Sequence, residues 1–310
     1  MTNTAQRLSY KAFGLQINSE FPLPELPTCD DPGILGAISV TREELSSKWQ
    51  EIPKLSSHIG VSSDHEVMFQ VPEIAIFSIR DGHSIVVSPF AAADEDCIRL
   101  YILGSCMGVL LMQRNILPLH GSAIVVNNKA YALLGQSGAG KSTLASYLMD
   151  QGYYMISDDV IPIMLTEGVP LAIPGYPQQK LWEQSLQHLG LQSSEYRPLF
   201  KRETKFAVPV HNQFHNEPLP LAGVFELEVK SEGSVAIGPI QGLEKFNTLF
   251  NHTYQKLMID RMGIREWHFS TLARFVNRLP MYRLSRPADG FSAPRQTSLL
   301  LEAIYEGVDQ

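Results

Sequence analysis

Gly135-Gln136-Ser137-Gly138-Ala139-Gly140-Lys141-Ser142 fills every fixed position of the pattern G-x-x-x-x-G-K-[ST]. Each position has a physical task. Glycines let successive backbone N–H groups curl around phosphate oxygens, where a Cβ would crowd the approach. A helix beginning at Ser142 aims its unpaired amides and its positive end at the same anion. Lys141 is suited to neutralise β- and γ-phosphates and the Ser142 hydroxyl to ligate Mg²⁺, with Thr143 next in the seat. The loop lies between an apolar strand and an amphipathic helix, the setting such a loop needs. The segment predicts a site for a nucleoside triphosphate with Mg²⁺.

Other candidates for chemistry lie on either side. Leu119 to Val126, the pair Asn127-Asn128 and Lys129 to Gly135 read as a β-hairpin, because asparagine tolerates the positive φ of a tight turn. With Asn127-Asn128 as the turn, Val126 pairs with Lys129 and His120 falls opposite Gly135. A shift of one residue places His120 opposite Ser137. Either register brings the imidazole to the mouth of the loop. Asp158-Asp159 end the strand that follows the loop helix, where ligands of α/β sheets collect. One carboxylate can hold Mg²⁺ and the other can accept a proton from an attacking hydroxyl. Adjacent strand residues face opposite ways, so the two acids should divide these tasks. Asp158 is assigned the base, and Asp159 the acid that holds the metal or orients the histidine. The residues alone leave that order open.

Arg197-Pro-Leu-Phe-Lys201-Arg202-Glu-Thr-Lys205 is the densest basic cluster in the chain. It reads as a solvated face or as a clamp for phosphate or an acceptor's carboxylate, with Lys205 and Arg202 as the candidates. His211 and His215 lack a helical pattern and a third ligand for zinc, and read as a surface loop. Tyr176 and Trp182 are expected in the core or along a pocket.

These groups need a scaffold. The chain has 310 residues, 44% of them hydrophobic and 18% charged, enough to bury a real core. Its formal net charge of −7 argues against nucleic acid as the main partner. The odd cysteines Cys29, Cys97 and Cys106 read as free, buried thiols. Cys97 to Met112 is the most membrane-like stretch, but it carries Arg99 and is shorter than the roughly 18 apolar residues of a spanning helix. It is expected to be a buried helix, begun by Asp94-Glu95-Asp96. The expected location is the cytosol, with no membrane partner. Residues 1–95 read as a β-rich region of strands joined without long helices, which predicts an antiparallel sheet. Beyond the loop, strands are expected over 153–159, 221–229 and 281–284, and helices over 142–151, 243–260, 264–277 and 297–306.

His120-Gly121, the hairpin, the glycine loop and Ser157-Asp158-Asp159 together resemble the C-terminal kinase domain of HPr kinase/phosphorylase, over roughly residues 117–163. The resemblance implies an α/β P-loop kinase core of the type shared with phosphoenolpyruvate carboxykinases. That core would span 96–310 behind a β-rich N-terminal domain over 1–95. It implies an ATP-dependent serine kinase, often a homo-oligomer, with His120, Lys141, Ser142, Asp158 and Asp159 in the catalytic and phosphate-binding positions. Ala172 and Pro174 stand where that family carries a Glu and an Arg, which points away from phosphorolysis and from HPr as the acceptor. Phe13 to Leu26 and Pro174-Gly-Tyr-Pro, running into Lys180-Leu-Trp, are similar to HPr-kinase-like lasso-peptide kinases. This implies phosphorylation of the C-terminal serine of a precursor peptide. A kinase for a carrier protein or small metabolite, and a nucleotide-sensing module, are the alternatives.

Overall fold

The structure is a computed structural model that describes residues 8–31, 33–199 and 202–306, without the side chains of Arg202 and Glu203. Its contacts divide the chain into two compact units. The first comprises the chain up to Pro118 together with Gln255–Phe269. Its eight-stranded sheet runs in the order Leu8–Ala12, Leu15–Ser19, Ala37–Arg42, Ser84–Pro89, Ala75–Arg80, Val67–Val71, Ile59–Val61 and Lys54–Ser56.

The β-rich character is as expected, but the sheet is mixed rather than antiparallel. Ala37–Arg42 runs parallel to both of its neighbours. Parallel neighbours need a crossover. One crossover here is an irregular loop rather than a helix, and buried Phe21, Leu23 and Leu26 anchor it. A backbone bond from Lys11 N–H to Pro27 O at 2.9 Å also holds it to the first strand.

Asp94 caps the apolar helix through its own carboxylate, which accepts from the amides of Asp96 and Cys97. The helix runs Glu95–Tyr101, widens into a π turn over Ile102–Cys106 and continues as Met107–Gln113. It belongs to this sheet. The Tyr101 ring lies 5.7 Å from Phe77 and 6.3 Å from Phe69. Gln113 Nε2 donates to Ile79 O at 3.1 Å and Arg114 Nη1 to Gly82 O at 2.8 Å. The units therefore divide at 118/119, beyond the boundary read near residue 95. Cys97 and Cys106 are buried as expected, whereas Cys29 is only half-buried. Among the described residues no helix is long and apolar enough to cross a membrane.

The second unit comprises Leu119–Tyr254 and Ser270 onward. Asn127 and Asn128 both take positive φ, 49° and 57°, and turn strand Leu117–Val126 into Lys129–Gly135 in the first of the two expected registers. On its other edge Lys129–Gly135 runs parallel to Leu219–Lys230, which in turn runs parallel to Met281–Pro287. Leu117–Val126 neighbours Tyr154–Thr166, which turns back into Val169–Ala172. Val169–Ala172 pairs with the start of Leu219–Lys230, so five strands close a ring. The loop helix Lys141–Asp150 and the helix Ala293–Glu306 share a core over this sheet. Leu144, Leu148, Leu300 and Ile304 pack there on Leu133, Phe225 and Leu284.

Two sequence boundaries move. The helix expected over 243–260 is broken into Leu243–Asn251 and Leu257–Arg261. Thr253 Oγ1 donates back to Leu249 O, and Gln255 takes φ +53°, which a continuous helix cannot contain. The strand expected to stop at Asp159 runs on to Thr166.

Candidate functional site

The phosphate loop leaves the end of strand Lys129–Gly135 and enters helix Lys141–Asp150. Gly135 permits this exit, because a Cβ there would lie 2.7 Å from Leu227 O on the parallel strand. Gly140 stands at the helix start with φ +101°. The first amides of the helix have no intrahelical carbonyl to bond. Lys141 folds over the loop, its Nζ donating to Gly135 O at 2.8 Å and Gln136 O at 3.1 Å. Burial pushes its pKa down, against the pull of Asp158 and Asp159. Thr143 Oγ1 shares a 2.7 Å hydrogen bond with Ser185 Oγ, tying helix Glu183–His188 to the first turn of the loop helix.

Both aspartates line the same cleft as the loop, so they do not face opposite ways. The reason is local. Asp159 takes φ +70°, a left-handed residue inside a strand, which breaks the alternation of the pleat. Ser157 Oγ clasps the kink by donating to Val160 O at 2.5 Å.

Asp158 is buried and fully engaged. Its Oδ1 accepts from Ser122 Oγ at 2.5 Å and Ser142 Oγ at 3.0 Å, and its Oδ2 accepts from Lys180 N–H at 2.9 Å. Asp159 Oδ2 accepts from Lys180 Nζ at 2.5 Å. Burial alone would raise the Asp159 carboxyl, but the positive charge of Lys180 and the hydrogen bond it donates outweigh it and hold the group far below the usual carboxylate range. Lys180 is raised in return, since Asp159 overcomes its own burial.

His120 lies beside this pair. Its Nδ1 is 3.0 Å from Asp159 O and 3.6 Å from Asp159 Oδ1. A carbonyl oxygen can only accept, so Nδ1 carries the hydrogen and Nε2 is left as a lone pair. Burial lowers the imidazole pKa below 6.5, with Asp159 opposing it. The backbone is held as well. His120 N–H donates to His252 O at 2.7 Å, and His252 Nε2 is 2.9 Å from Glu226 Oε1. Glu226 also accepts from Arg283 at 2.7 Å.

The cleft has a volume of about 770 Å³ and includes His120, Ser137, Gly138, Lys141, Ser142, Thr143, Asp158 and Asp159 among its walls. The structure thus gathers the loop, the histidine and both acids. Of the two basic candidates, Lys205 lines the cleft with its Nζ 5.4 Å from the Trp182 ring centre, while the Arg202 side chain lies outside the described residues. Trp182 lines the cleft, whereas Tyr176 is buried near Lys180 without lining the cleft. His211 opens a short 3-10 turn, and no cluster of three or more metal-ligating side chains occurs among the described residues.

Two residues were not singled out from sequence. Lys180 is a buried cation in the strand Gln178–Trp182, where a lysine between Gln179 and Leu181 at such a position signals a buried acid partner. Arg286 donates from Nε to Ala139 O at 3.2 Å and from Nη2 to Gly138 O at 3.3 Å, bracing the loop from the end of strand Met281–Pro287, next but one to the loop strand. Its distance in sequence from the loop hid it.

No protein-family model matches the chain, and no curated protein matches it. Among solved structures, the Hpr(Ser) kinase/phosphatase from Coxiella burnetii is similar, at 10% identity and a TM-score of 0.33 over 61% of this chain and 98% of that one.

Proposed function

We propose that the chain is an ATP-dependent serine kinase whose acceptor is a peptide, with the C-terminal serine of a ribosomally made precursor as the first candidate. The observation that carries this reading is the 3.0 Å hydrogen bond between Ser142 and Asp158 at the loop, with His120 and Asp159 beside it. Two hard oxygen donors next to a phosphate seat suit Mg²⁺, which takes one or two protein oxygens and fills its shell with phosphate and water. When bound there, Mg²⁺ would offset the charge on the β- and γ-phosphates.

The bonding supports a different division of labour from the one first read in the sequence. Asp158 joins Ser142 as the cation seat, because both its oxygens already accept hydrogen bonds. Asp159 keeps its role as the acid that orients the histidine, and its contact with Lys180 disfavours a second cation beside it. The neutral Nε2 of His120 is then the proton acceptor. In the transfer, the serine oxygen bonds the γ-phosphorus as the bond to the β–γ bridging oxygen breaks. ADP leaves with that electron pair, and the hydroxyl proton passes to Nε2. Lys141 and the loop amides hold the phosphate oxygens throughout. Lys205, on the cleft wall, is the candidate to meet a phosphate or an acceptor's carboxylate.

Incubation with Mg²⁺, γ-labelled ATP and serine-ended peptides tests the reading. Label on serine is expected, and Lys141→Ala should abolish it. ATP binding without transfer to any serine peptide or carrier protein would instead identify a nucleotide-sensing module.

A further inference from the structure

We infer that Phe291 and His188 form a stacking platform for the nucleobase, at the end of the cleft away from the aspartates. This rests on the triphosphate reading of the loop. His120, Asp158 and Asp159 mark the end where a hydroxyl must reach the γ-phosphate. The nucleoside therefore leaves in the other direction, past Thr143. Thr143 is bonded to Ser185, one turn before His188 on the same helix. Arg286 grips Gly138 O and Ala139 O, and the segment after it carries Phe291 along the same rim.

At that rim the His188 and Phe291 rings lie parallel, 4.6 Å apart at 6°. Tyr147, one turn beyond Thr143 on the loop helix, braces Phe291 edge-on at 6.0 Å. Phe291 is 37% exposed, an apolar ring left open on the cleft wall. A flat heteroaromatic ring is the ligand such a surface suits, because bases stack on aromatic side chains whatever their hydrogen-bonding edge.

A second observation points the same way. Gln296, in the same cleft wall, is only 3% exposed. Its Oε1 accepts from Ser292 Oγ at 3.2 Å, and its Nε2 has no hydrogen-bond partner among the described residues. A buried amide with one unpaired atom is costly unless a ligand completes it, whichever way the amide is turned. The edge of a nucleobase supplies both donors and acceptors.

Titration calorimetry of the full chain with MgATP and with magnesium tripolyphosphate, which lacks the nucleoside, tests the assignment. Phe291→Ala should weaken MgATP about tenfold, within the range found for removing one stacking partner, and leave tripolyphosphate within about twofold. Phe291→Trp, which keeps a ring, should retain MgATP. Wild-type affinity for MgATP in Phe291→Ala, or equal weakening of both ligands, would overturn the platform. Failure of the wild-type protein to bind either ligand would instead refute the triphosphate site itself.

Discussion

At the scale of single residues, the chemistry depends on how burial and nearby charge set each group's protonation. His120 is the sensitive case. Burial disfavours its imidazolium more than Asp159 favours it, so the ring is neutral near pH 7 with its lone pair on Nε2. A base must be unprotonated to work, so the rate should hold steady at neutral pH and fall only as pH drops below the ordinary histidine value of about 6.5. A pH profile of kcat/KM measures this limb. His120→Ala should lower the rate by about 10² and remove the limb, because the titrating group is gone. A limb that survives the substitution would move the base back to Asp158. Asp159 is held as an anion by Lys180 and serves the histidine better than it could serve as a base itself.

At the scale of elements, three close fits shape the site. The Asn127-Asn128 turn fixes the hairpin register and brings His120 to the level of the loop. The left-handed Asp159 turns two adjacent side chains into one cleft. Gly135 lets the loop strand lie against Leu227. The last is readily tested. Gly135→Ala would place a Cβ 2.7 Å from Leu227 O, with φ +147° disfavoured for alanine. The parallel strands must separate, at a cost of about 1–3 kcal/mol typical of overpacking. Urea denaturation should show that loss, and MgATP binding should weaken because the loop begins at the displaced residue.

The Glu226 network works at the same scale. It lies on the strand parallel to the loop strand, and through His252 it fixes the backbone of His120. The glycine loop and His120 are thus positioned by neighbouring strands of one sheet.

At the scale of the whole molecule, buried His268 and half-buried Glu226 shape its response to acid. Burial pushes His268 down to about 4. Between its ordinary value of about 6.5 and that value, the unfolded chain takes up a proton that the folded protein refuses, so stability falls as pH drops through this window. Glu226 acts lower. The hydrogen bonds from His252 and Arg283 hold it at about 2 rather than 4.5. Its contribution is complete above 4.5 and is lost as pH falls toward 2. Urea midpoints across pH 7 to 3 should therefore decline in two stages. His268→Gln should flatten the upper stage and Glu226→Gln the lower. A midpoint independent of pH between 6.5 and 4 would contradict the buried state of His268.

Much of the site was legible in the chain because its signals are local. A glycine loop needs only its own eight residues and the strand and helix around it. A hairpin turn states its register through the two asparagines at its tip, and Asp94 announces the helix it caps. What the sequence could not state are the relations that arise when distant segments meet. The parallel pairing of Ala37–Arg42 depends on an anchored crossover, and the helix 95–113 joins the first sheet through contacts that no local pattern encodes. Lys180 meets Asp159, Arg286 grips the loop and Phe291 stacks on His188 across long stretches of chain. The glycine loop, the histidine and the paired acids were thus legible in the sequence. Which acid meets Ser142, which meets Lys180 and the histidine, and which rings stack were decided by tertiary structure, because charge, burial and ring contact act through space rather than along the chain.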